Sequence, residues 1–153
     1  MPSPEKQLDA FIGEYSPEIA KLAREVLKKL ARRLPTAKQL VYDNYNALAI
    51  GFSPTEKAGD VIFSVALYPR WINFFFYQSG SKLPNPNGTL KGSGGMVRHI
   101  RLGSARDLDD PEIKELMQMS IDIAKTPLPK KLDGEPIVIK SISAKQRSRR
   151  PTK

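Results

Sequence analysis

The sequence predicts an α+β fold in a single domain. Helical stripes of apolar residues sit near both ends of the chain, and alternating or aromatic-rich runs fill the middle. Pro69-Arg70 makes a tight connection between two of those middle runs, which argues for antiparallel pairing. The expectation is a sheet of about five to six strands packed against N-terminal and C-terminal helices.

Pro4–Gly13 reads as a short helix with Leu8, Phe11 and Ile12 facing inward. Ser16-Pro17-Glu18 starts a second helix, with Ser as N-cap, Pro at the first helical position and an acid in the first turn. It runs to Leu34 and stops before Pro35. Ile19, Leu22, Ala23, Val26, Leu27, Leu30 and Leu34 form its apolar stripe, and six basic residues lie off that stripe. Strands are expected over Gln39–Asn46, Ala47–Phe52, Asp60–Tyr68 and Trp71–Tyr77. Trp71–Tyr77 carries aromatics on both faces, so it should be central. Val97–Leu102 is a further strand. Asp110-Pro111-Glu112 starts a third helix with Ile113, Leu116, Met117, Ser120, Ile121 and Ala124 inward, ended by Pro127 and Pro129. Pro136–Ser141 is a last short strand.

The 153 residues are enough for one domain with a real core. No apolar run is long enough to span a bilayer, and the first residues lack the features of a signal peptide. Cys is absent and His99 is the sole histidine, which excludes disulfides, thiolate metal sites and a Cys nucleophile. A cytoplasmic protein without membrane contact is expected. The net charge is +9, but five of the 25 Lys and Arg lie in 143–153 with no acid, which leaves +4 on residues 1–142. The chain therefore divides into a domain over 1–142 and a basic C-terminal tail over 143–153. The tail is expected to be solvated and mobile, with weak nonspecific nucleic-acid contact as its possible function.

Three segments carry candidate chemistry. Ser79–Gly95 has five glycines and two prolines, and it leads into Lys91-Gly92-Ser93-Gly94-Gly95-Met96-Val97-Arg98. Glycine N–H groups can turn toward an anion there, with Lys91, Arg98 and Arg101 supplying charge. The alternative is a flexible connection with solvent-facing arginines. Tyr42, Asp43 and Tyr45 form a second cluster, either a polar-ligand site or a sheet surface with one solvated acid. Trp71, Phe74, Phe75, Phe76 and Tyr77 could stack bases or belong to the core. Asp107, Asp109, Asp110, Glu112 and Glu115 could attract a hard cation, although helix capping accounts for them without one. No paired catalytic carboxylates, nucleophile motif or cofactor fingerprint is present.

Leu40-Val41-Tyr42-Asp43-Asn44-Tyr45-Asn46-Ala47, Val65-Ala66-Leu67-Tyr68-Pro69-Arg70-Trp71 and Lys91–Arg98, in that order, resemble the YdhG-like family of domains of unknown function. Val138–Arg147 looks like one subgroup of that family. The resemblance covers about residues 5–145. It implies a compact α+β domain with an antiparallel sheet on helices. Its lysine, small hydroxyl and arginine pattern is matched by Lys91, Ser93 and Arg98. Some members are described as frataxin-like, with a role in iron delivery, which here would fall on the acids from Asp107 to Glu115. The resulting expectation is a non-enzymatic module, with no cofactor, that binds an anionic small molecule or an acidic protein segment. Tyr42, Arg70, Lys91, Ser93 and Arg98 would hold the ligand. The alternatives are iron binding, or nucleic-acid binding through the tail. The sequence leaves the oligomeric state open.

Overall fold

The computed structural model describes residues 2–151. Three helices pack on one face of a six-stranded sheet. Helix α1 spans Pro4–Gly13, α2 Pro17–Arg33 and α3 Pro111–Asp122. The strands are β1 (Lys38–Asp43), β2 (Leu48–Ser53), β3 (Phe63–Leu67), β4 (Ile72–Phe76), β5 (Arg98–Leu102) and β6 (Ile137–Ile142).

The helix starts follow from local chemistry. Ser3 accepts from the Lys6 amide (3.2 Å), Ser16 from Ile19 (3.4 Å) and Asp110 from Glu112 (2.9 Å), each with Pro beginning the helix. Leu8 and Ile12 of α1, and Ile19, Ala23, Val26, Leu27 and Leu30 of α2, are buried as their spacing requires. The basic side of α2 is only partly solvated. Arg24 pairs with Asp9 at 2.9 Å, and Lys29 and Arg33 both pair with Asp109.

The strand order is β5-β4-β3-β2-β1-β6. Strands β1 to β5 form an antiparallel meander, but β6 runs parallel to β1. The expected antiparallel sheet is therefore mixed. A parallel neighbour cannot be reached through a hairpin, and the long stretch through α3 supplies the crossing. β4 is flanked on both sides, one place in from the β5 edge rather than at the centre.

Register divides the sheet into two faces. Val41, Ile50, Val65, Phe74 and Ile100 lie side by side across five strands and join the helix-side core. Phe63 stacks on Phe74 (5.3 Å between centroids), and Phe76 meets both rings edge-on. The opposite face carries the rows Tyr42, Ala49, Ala66, Asn73, Arg101 and Leu40, Gly51, Ser64, Phe75, His99. Its two middle strands thus present only Ala, Gly and Ser, and this absence of bulk shapes the site.

The tail does not match the solvated terminus expected from its composition. Ser143 N–H donates to the Asp43 carbonyl (2.8 Å) and Arg147 N–H to that of Tyr45 (2.9 Å). Arg149 is buried. Its charge is compensated by Asp43 and by the carbonyls of Asn44 and Tyr45, which is why a basic side chain can lie inside. Thr152 and Lys153, the last two residues of the expected tail, lie outside the described residues.

Candidate functional site

The side of the sheet away from the helices holds a cleft of about 540 Å³. Its floor is Ala49, Gly51, Ser64 and Ala66, and Tyr42, Tyr68, Phe75 and Tyr77 stand around it. Side chains alternate faces along a strand, so the large residues of β2 and β3 (Leu48, Ile50, Phe52, Phe63, Val65, Leu67) build the core while the small ones between them leave the cleft. The β2–β3 connection roofs part of it. A Cβ placed on Gly51 would lie 3.0 Å from a Val61 methyl, so glycine is what lets that connection approach.

The Tyr42 hydroxyl is buried and has no hydrogen-bond partner. Burial, helped by the neighbouring Tyr77, holds its pKa above the usual phenol value. At neutral pH it is therefore a neutral O–H donor, in a site where an unmatched donor carries a desolvation cost.

The other expected site residues are spread out. Arg70 lines a depression that adjoins the cleft mouth, with Tyr45, Tyr68, Trp71, Arg147 and Arg150. Lys91 lines an open shelf on the β5 side with His99, Arg101 and Glu112. Lys91 is fixed there by two backbone bonds to His99, at 2.8 and 2.9 Å. Ser93 is exposed in the loop and lines none of these three hollows. Arg98 turns back on its own loop and donates to the carbonyls of Gly94 and Val97. Its guanidinium thus serves the loop, and the expected constellation of Tyr42, Arg70, Lys91, Ser93 and Arg98 does not converge.

The acids near α3 each have a local partner or stay at the surface. Asp107 accepts from the amides of Gly103 (2.8 Å) and Ser104 (3.2 Å), Asp109 holds Lys29 and Arg33, and Asp110 caps α3. Glu112 accepts from Thr89 Oγ1 at 2.8 Å, and Glu115 is exposed. Among the described residues, no three His, Cys, Asp or Glu side chains come together in a way that could hold a metal ion. His99 lies against Phe75, with ring centroids 5.4 Å apart. Burial first, and then Arg101, lower its pKa. The second cluster separates. Asp43 turns inward to Arg149 and is not a solvated acid, Tyr42 walls the cleft, and Tyr45 stands exposed at its rim.

Sequence reasoning missed the floor residues and the tail arginines. The floor was signalled by Leu-Ala-Ile-Gly-Phe at 48–52 and Phe-Ser-Val-Ala-Leu at 63–67, both alternating large with small. Comparison with family models, curated proteins and solved structures finds no match to the chain. Among the described residues, no helix is long and apolar enough to cross a membrane.

Proposed function

We propose that this protein is a binding module for an anionic small molecule, whose body occupies the aromatic-walled cleft on the helix-free face of the sheet. The carrying observation is the buried, unpartnered Tyr42 hydroxyl in a cleft floored by four small residues. Clefts of several hundred Å³ with mostly apolar walls and a few polar groups are the usual form of small-molecule sites. A small rotation of the Tyr42 ring toward the cleft would let a ligand oxygen accept from its hydroxyl, and the anionic end would face the arginines at the mouth. No catalytic step is assigned to it. The lack of cysteine fits a reducing, cytoplasmic setting. Membership of the YdhG-like family is proposed beside this reading, on the motif order alone.

The test is a thermal-shift screen of the full chain against carboxylates and phosphorylated metabolites, followed by calorimetry. A ligand at about 100 times its Kd adds roughly 2.7 kcal/mol, a rise of several degrees at about 2–4 °C per kcal/mol. Ala66→Leu, which fills the floor, should abolish the shift while the unliganded protein stays folded. Tyr42→Phe should weaken binding by about tenfold, the worth of one hydrogen bond. Unchanged affinity in Ala66→Leu would overturn the reading.

A further inference from the structure

We infer that Arg70, Arg147 and Arg150 form an anion subsite at the mouth of the cleft, and that the ligand is a phosphate monoester carried on a planar ring. The inference rests on the cleft being the binding site and adds the class of its ligand. Tyr45, Asn46 and Tyr68 line both the cleft and the neighbouring depression of about 760 Å³, so the two form one groove. One end is apolar and the other is basic.

No Asp or Glu lines the basic end. Among the described residues, the arginines in ion pairs are Arg24, Arg33 and Arg149, so Arg70, Arg147 and Arg150 face the depression without a carboxylate. All three are exposed, and the Arg150 Nε donates to the Glu14 carbonyl at 3.2 Å, which orients that side chain. Three like charges around one hollow repel each other until an anion enters. A single carboxylate is matched by one bidentate guanidinium. A phosphate monoester, with about two charges and three terminal oxygens, can engage all three.

The walls point to a planar body. Tyr68 and Trp71 stack with centroids 5.4 Å apart and ring planes 28° from parallel. Trp71 is also covered by the Arg101 guanidinium at 4.6 Å, so Tyr68, which lines both hollows, is the ring against which a flat group can lie face-on. Two of the three arginines belong to the C-terminal segment. The subsite is therefore complete only when Arg149 anchors that segment to Asp43.

Trp71, the sole tryptophan, lines the depression and reports on it by fluorescence. The full chain is titrated with adenosine monophosphate, phenyl phosphate, adenosine, phenol, inorganic phosphate and a single-stranded oligonucleotide. Emission and calorimetry are both read. The expected result is that each phosphorylated ring binds at least about tenfold tighter than its dephosphorylated form. That advantage should vanish in Arg70→Ala and in Arg147→Ala/Arg150→Ala while the thermal midpoint holds. If rings bind, and lose binding in Ala66→Leu, yet phosphate adds nothing, the subsite is overturned and the cleft stands. If the phosphate advantage persists unchanged in Ala66→Leu, the subsite stands and the cleft reading falls. If nothing binds, both fall. An oligonucleotide that binds at least a hundredfold tighter than adenosine monophosphate would replace the small-molecule class with nucleic acid.

Discussion

Arg149 donates from Nη2 to the Asp43 carboxylate at 2.8 Å, and only 5% and 4% of the two side chains are exposed. Asp43 ends β1 in the first third of the sequence, and Arg149 lies 106 residues later in the terminal segment. The same guanidinium faces the Tyr15 ring at 5.7 Å, which ties the segment to the α1–α2 corner.

This pair should behave as an anchor with a capped cost. Removing one partner of a buried pair typically costs about 3–5 kcal/mol, because the other charge is stranded. Here the terminal segment can undock and return the stranded charge, Arg149 or Asp43, to water, so the loss cannot exceed the segment's own docking energy. In urea denaturation, Asp43→Ala and Arg149→Ala should each lower stability, and the double variant should be no worse than the worse single. Trypsin should then cut after Lys145 and Arg147 faster in both variants.

Tyr15 → Phe should destabilise by about 1–3 kcal/mol, since it leaves buried backbone groups without a partner. The Tyr15 hydroxyl donates to the Leu67 carbonyl (3.0 Å) and accepts from the Leu48 amide (3.1 Å), bridging β2 and β3 from below. Burial pushes its pKa up to about 12. In an ultraviolet pH titration it should be among the last of the five tyrosines to ionise.

Gly80→Ala tests how the long loop is attached. A Cβ there would lie 2.5 Å from the Arg98 backbone nitrogen, so one of the two segments has to move. Overpacking of this kind costs about 1–3 kcal/mol. The expected outcome is a lower thermal midpoint together with faster amide exchange at Lys91 and His99, whose mutual backbone bonds close the loop.

Stability should also fall on mild acidification. The His99 pKa is lowered from 6.5 by burial and by Arg101, so the unfolded chain takes up its proton first as pH falls. The contribution is full above about pH 6.5 and is lost as pH drops through the folded value. His99→Gln should flatten that part of the midpoint-versus-pH curve. An equally steep curve in the variant would assign the effect elsewhere.

The sequence made the helices readable because their signals are local. Ser3, Ser16 and Asp110 each sit before a proline and an acid, and the structure starts a helix after each. The β1–β2 and β3–β4 pairs were legible for the same reason, since short turns join them, whereas a long loop separates β4 from β5. The parallel β1–β6 pair was not, because nothing within Ile137–Ile142 names a partner a hundred residues away. Lys91, Ser93 and Arg98 looked like one site because they are close in sequence. The backbone bonds between Lys91 and His99 place Lys91 beside β5, while Arg98 turns to the loop carbonyls. Tyr42 and Arg70 both line the proposed groove, whereas Arg147 and Arg150 read from composition as solvent-facing charge, because composition cannot reveal Arg149's buried partner.

The alternation of large and small residues on β2 and β3 also makes the domain suited to engineering. Positions 49, 64 and 66 face away from the helix-side layer, so changing them alters the shape of the hollow without disturbing the packing that sets the melting point. Gly51 is the exception, since Val61 leaves no room there. A library confined to those three positions would sample new ligand preferences on an unchanged chassis.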